Sequence, residues 1–228
     1  MAPGEGGLSI VTNQEKAEMG GLTKGRVETL TDGVFAIAMT LMVFDIHVPE
    51  LAGAAIAELP RRLFALWPDF FIYGVTFAML GIFWIAHHNH FYFLRRIDRN
   101  SIWINITFLF SITLLPFSAA LLGDYPGQRA AVIWYGLNLA LAALLLYAHL
   151  RYATSEGRLL GGSVDKKGLR LVTHRLLACP ILCGVSIALS FIHPFLASVL
   201  YLAIPVMYII PGRVDRYFAA VLEGRSAN

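Results

Sequence analysis

Arg26-Val-Glu-Thr-Leu-Thr-Asp32-Gly-Val-Phe-Ala-Ile37-Ala-Met-Thr40-Leu41-Met-Val-Phe44-Asp45 is an apolar stretch that opens on an arginine and an aspartate and closes on a second aspartate. Charge at the edge of a membrane helix is expensive unless it is paired or hydrated, so such a framed span marks a functional element.

The rest of the chain decides that the medium is a bilayer. Asp, Glu, Lys and Arg are absent from Phe70–Leu94 (25 residues), Asn100–Gly123 (24), Ala130–Leu150 (21) and Leu176–Gly212 (37). A hydrocarbon core takes about 20 apolar residues per helix, so the first three runs predict one crossing each. The fourth predicts about two, because His193-Pro194 interrupts it and proline favours a helix start or break. With 57% hydrophobic residues, 14% charged and a mean hydropathy of +0.63, helices apolar on every face have no soluble alternative.

The expected fold is therefore all-α and polytopic, with six transmembrane helices near 27–48, 63–93, 101–122, 129–150, 169–192 and 194–211. Residues 1–24 read as a flexible cytoplasmic tail, 25–212 as one six-span domain and 213–228 as a short cytoplasmic tail. The glycine- and serine-rich 151–168 loop is too short to be a domain. Placing both termini in the cytoplasm puts 15 of the 18 Lys and Arg residues inside, leaving Arg61, Arg62 and Arg129 outside. The positive-inside rule selects that topology, and a five- or seven-span count scrambles it. The net charge of +3 then reports topology, and no nucleic-acid partner is implied. Cys179 and Cys183 lie four apart within the fifth span and fit neither a disulfide framework nor a zinc pattern.

Within the first span, Ile37, Leu41 and Phe44 recur at i, i+4 and i+7, with Val34 and Leu30 continuing the stripe. Such a stripe ordinarily faces lipid or a neighbouring helix. Ionisable groups at both mouths (Arg26 and Asp32, then Asp45 and His47) add a second reading, a water path with a dry neck that gates by dewetting. The second span closes on Trp84-Ile-Ala-His87-His88-Asn-His90. His87 and His90 share a face and His88 points about 100° away. Three uses fit these rings: a metal site, a hydrogen-bonded cluster with Asp32 or Thr31, or interfacial anchoring. No cysteine lies nearby and no carboxylate lies within a turn on the same helix, which counts against a metal. Asn105 lies one turn into the third span, where Pro116 frees a carbonyl that Ser111 or Thr113 can satisfy.

In order along the chain, Arg26-x-x-x-Leu30-Thr31-Asp32-Gly-Val-Phe-Ala-Ile-Ala-Met-Thr40, Trp84-Ile-Ala-His-His-Asn-His-Phe91 and Asn105-Ile-Thr-Phe-Leu-Phe110 with Leu114-Leu-Pro-Phe117 resemble the transmembrane protein 175 family. Its members are potassium channels of lysosomes and of bacteria. The resemblance covers about 26–117 and implies a potassium-preferring cation channel in the cell membrane, neither an enzyme nor cofactor-dependent. It implies a pore lined by the first helix, with Ile37 as the narrowest hydrophobic ring, Leu41 and Phe44 as the next layers and Thr40 at a position tied to ion preference. Arg26, Thr31 and Asp32 would form a structural hydrogen-bond network with Trp84, His87 and His88. Asp45 would concentrate cations at the outer mouth through its field.

Leu30-Thr31 replaces the family's usual Phe-Ser, and Phe44 is bulkier than the expected aliphatic residue. The motif occurs once, as in single-repeat bacterial members that assemble as homotetramers around a central pore. Two other classes compete with a channel: a secondary transporter, which needs midplane polar sites on discontinuous helices, and a membrane enzyme using His87, His88 and His90 with a metal.

Overall fold

Prolines and caps cut the apolar runs into helices in the computed structural model, which describes residues 23–51, 53–155, 159, 166–210 and 212. Thr23 caps α1 (Lys24–Leu41), and a 3-10 turn, Met42–Asp45, continues it. Pro49 holds the residue before it out of helical geometry, and Ile46 is already extended, so the span ends short of the expected 48. Pro60 and Pro68 each sit in a first helical turn, where the missing N–H costs nothing. The second apolar stretch is consequently a short α2 (Leu59–Ala65) followed by α3 (Trp67–Tyr92) rather than one helix from 63.

Asp98 caps α4 (Arg99–Thr113) by accepting from the Ser101 backbone N–H at 2.9 Å. Pro116 then breaks the third span, and α5 (Leu115–Asp124) begins after a bend at Leu114. The hydroxyls around the break bond backward: Ser111 to the Phe108 carbonyl at 2.6 Å, Thr113 to Phe110 at 2.8 Å and Ser118 to Leu114 at 2.8 Å. None of them reaches the Ile112 carbonyl, which Pro116 leaves without its helical donor; the Leu114 backbone N–H donates there instead, so the expected role of Ser111 or Thr113 is not taken up.

α6 (Arg129–Thr154) is the central helix, packed against α4, α5 and α7 (Lys166–Ser190). Its buried residues recur every three or four positions: Val132, Tyr135, Leu139, Ala142, Ala143, Leu146 and His149. All but His149 form the core with Phe35 and Ala38 of α1, Met79, Leu80 and Phe83 of α3, and Phe108 and Ile112 of α4. Cys179 and Cys183 are buried free thiols in that core.

Among the described residues, five helical segments are long and apolar enough to cross a membrane: Lys24–Asp45, Trp67–Tyr92, Arg99–Asp124, Arg129–Thr154 and Gly168–Ser190. The sixth apolar segment, Pro194–Ile209, is shorter and split into α8 (Pro194–Leu200) and α9 (Ala203–Ile209). At 1.5 Å per residue it reaches about 24 Å, against a hydrocarbon core of ~30 Å. Pro205 explains the split, since it cannot donate to the Tyr201 carbonyl; Ile204 donates there instead, at 3.2 Å. The expected tails, from residue 1 to 22 and from 213 to 228, lie outside the described residues, as does most of the loop after Ser155.

Candidate functional site

The two faces of α1 are chemically similar and structurally opposite. Val27, Thr31, Phe35 and Ala38 are buried against α3 and α4, where Phe35 meets the Phe108 ring at a centroid distance of 6.0 Å. The other face carries the predicted stripe, and nothing among the described residues covers it. Ile37 is 59% exposed, Leu41 51% and Phe44 74%. Leu30 is exposed as well, while Val34 is half-buried against the core. An apolar face left open on a helix whose back is fully packed is available to lipid, to another copy or to a water-filled path.

Thr40 stands on the open side, and its hydroxyl donates back to the carbonyls of Ala36 at 2.8 Å and Ile37 at 3.0 Å. Its proton is spent within the helix, so the oxygen presents lone pairs outward. Asp45 is exposed at the end of the 3-10 turn, and its carbonyl lies 2.9 Å from His47 Nδ1. It borders a cavity of about 130 Å³ together with His47, Asp69, Tyr73 and Asp124.

At the other end of α1, side chains from three helices meet. Trp84 Nε1 donates to Asp32 Oδ1 at 2.8 Å, and the indole stacks on His88 with ring centroids 5.8 Å apart. His87 donates from Nε2 to Asn105 Oδ1 at 2.9 Å. Asn105 Nδ2 donates to Thr31 Oγ1 at 3.2 Å, and the Thr31 hydroxyl donates to the Val27 carbonyl at 2.9 Å. The chain is polarised in one direction, and each buried group in it has a partner.

Arg26 is not drawn in. It is exposed and, among the described residues, has no carboxylate within 4.0 Å. Six residues along a helix rotate Arg26 and Asp32 about 120° apart, which is why nearness in sequence does not pair them within one chain.

The three histidines of α3 reach three different partners: His87 to Asn105, His88 to the Trp84 face, and His90 to His149 of α6. The last contact belongs to a second buried network that the sequence reading missed. His90 Nε2 and His149 Nδ1 lie 2.5 Å apart, His149 Nε2 lies 2.7 Å from Ser101 Oγ, and Tyr152 donates to Asp98 at 2.6 Å. The available signal was His149 itself, the one histidine in an otherwise charge-free 21-residue run.

The geometry is that of a multi-pass membrane protein whose first helix leaves an apolar face open and is tied at one end to a polar network. Residues 26–116 match the family described as "Endosomal/lysosomal potassium channel TMEM175". A potassium channel of Chamaesiphon minutus is 35% identical over 178 residues, covering 76% of this chain and 87% of that protein. A potassium channel of Streptomyces collinus is 33% identical over 172 residues, covering 74% and 82% respectively. The crystal structure of a lysosomal potassium-selective channel TMEM175 homolog from Chamaesiphon minutus superposes with a TM-score of 0.71 at 29% identity, over 81% of this chain and 95% of that one. This chain belongs to the TMEM175 family of ion channels.

Proposed function

We propose that this chain forms a potassium-preferring cation channel in the cell membrane, passive, and assembled as a homotetramer around a pore lined by α1. The observation that carries the reading is the open face of α1: Ile37, Leu41 and Phe44 are exposed while the opposite face is locked into the core. The potassium assignment rests on the relatives, which are potassium channels.

In this reading four Ile37 side chains make the dry neck, with Leu41 and Phe44 as outer layers and Thr40 beside them. A hydrocarbon ring offers an ion no oxygen in place of its water. Passage costs partial dehydration, which potassium undergoes more cheaply than sodium, so the preference is modest. Asp45 raises the cation concentration at the outer mouth. Trp84, His87 and His88 hold α1 in register through Asp32, Asn105 and Thr31, and Arg26 acts at the mouth. Pro194–Ile209 completes a sixth crossing, with both termini in the cytoplasm; the clustering of Lys and Arg on that side supports it.

Planar-bilayer recording of the purified protein in asymmetric KCl and NaCl tests the function. A reversal potential displaced toward potassium is expected, without ATP or a counter-transported ion. A chloride-directed potential, or no current under any gradient, overturns it.

A further inference from the structure

We infer that the turn between α3 and α4 and the outward face of α4 form a binding site for an anionic phospholipid. The inference rests on the chain crossing a membrane and is independent of which ions it conducts.

The turn Phe93-Leu-Arg95-Arg96-Ile-Asp98-Arg99 holds three arginines and one carboxylate. That carboxylate is turned inward, accepting from the Ser101 N–H at 2.9 Å and from the Tyr152 hydroxyl at 2.6 Å. The arginines point the other way: Arg95, Arg96 and Arg99 are all exposed. Among the described residues, Arg95 and Arg99 have no carboxylate within 4.0 Å. The turn is also fixed in place. Leu94 is buried with Val27 and Phe91, and the Arg95 N–H donates to the Leu159 carbonyl at 2.9 Å. The Arg95 and Arg99 guanidinium groups, on a rigid turn whose own acid faces inward, form a site for phosphate, which guanidinium binds in bidentate fashion.

What distinguishes a lipid phosphate from a free one is the surface below. Arg99, Trp103, Ile106 and Phe110 recur at i, i+4, i+7 and i+11 on one face of α4. Trp103 is 58% exposed and Phe110 61%, with Ile106 exposed between them. From Arg99 to Phe110 the helix rises about 16 Å, roughly half of a ~30 Å hydrocarbon core and hence one leaflet. The order along the stripe is that of a phospholipid: cationic end, interfacial indole, then apolar wall. A surface that repeats the lipid's own polarity profile is matched to lipid.

Native mass spectrometry of the purified full chain tests the site, with phosphatidylglycerol or phosphatidylcholine of equal acyl length added and inorganic phosphate as competitor. Phosphatidylglycerol should stay bound under conditions that strip phosphatidylcholine, and phosphate should not displace it. Each surface arginine contributes roughly fivefold, so R95Q/R99Q together should weaken phosphatidylglycerol retention by about twenty-five-fold. Should that double variant fail to fold, Arg99→Gln alone should still cost about fivefold. Trp103→Ala should lower lipid retention and leave the oligomer mass unchanged. Equal retention of the two lipids, wild-type retention by the arginine variants, or displacement by phosphate would overturn the proposal. So would a change of oligomer mass in Trp103→Ala, which would make the stripe a contact between copies.

Discussion

Trp84 donates its indole N–H to Asp32 at 2.8 Å, and this bond ties α3 to α1 beside the uncovered apolar stripe. A hydrogen bond to an ionised group contributes about 1.5–3 kcal/mol. Asp32→Asn keeps the accepting oxygen and loses only the charge assistance. Trp84→Phe keeps most of the ring and deletes the donor. Trp84→Phe should therefore lower the thermal midpoint in detergent by several degrees, and Asp32→Asn by less. Arg26→Ala removes no ion pair among the described residues, so a midpoint loss as large as that of Trp84→Phe would show that contacts beyond them, such as those between copies, carry it. Differential scanning fluorimetry of the three variants checks the order.

Asn105 is the only link in its network that both accepts and donates between helices, from His87 and to Thr31. Asn105→Leu is close in volume but strands the His87 N–H, and leaving a buried donor unpaired costs about 1–3 kcal/mol. His87→Ala in the same background has no stranded donor left to expose. The double variant should thus be less destabilised than the sum of the two singles, with a coupling of at least about 0.5 kcal/mol. Additive losses would mean that the two side chains do not act as a pair.

Gly136 marks where the short sixth segment docks. A Cβ built there would lie 2.1 Å from the Tyr201 hydroxyl, which itself donates to the Val132 carbonyl at 2.7 Å. Gly136→Ala should consequently push Tyr201 out of its seat and destabilise the fold by more than 1 kcal/mol, a typical cost of overpacking. Tyr201→Phe removes the clashing oxygen and leaves the nearest contacts at 3.1 Å. Adding Tyr201→Phe to Gly136→Ala should recover part of the lost stability. No recovery would place the clash elsewhere.

Much of this architecture follows from residue chemistry alone, because a bilayer leaves few options for long uncharged runs. The break at His193-Pro194 and the open stripe on α1 fall where periodicity and proline place them. Boundaries were less legible. Pro49, Pro68 and Pro205 each shortened or split an apolar run whose composition continued unchanged, since hydropathy does not register a missing N–H. Partners distant in sequence were the least legible. His90 and His149 are 59 residues apart, and only the packing of α3 against α6 brings them together. Arg26 and Asp32 are close in sequence and opposite in sign, yet helical rotation turns them away from each other.

Ile37 is the position where the proposed pore is most exposed to test. It is 59% exposed on a helix whose opposite side is packed, so a polar replacement there leaves the fold intact. If four copies form the dry neck, Ile37→Asn supplies groups that hydrate or coordinate an ion, which lowers the dewetting barrier. Conductance should rise and the preference for potassium over sodium should fall. Leu41→Asn, one turn along the same stripe, should act in the same direction and more weakly. Ala38 is an unsuitable control despite being adjacent: it is 3% exposed, and asparagine there would overpack the core. Leu137→Asn on α6, an exposed apolar position, controls for the general effect of a polar group on the surface. Single-channel conductance and bi-ionic reversal potential, measured for all three variants in one bilayer system, decide the matter. An Ile37→Asn channel indistinguishable from wild type, or one matched by Leu137→Asn, would remove this stripe from the ion path.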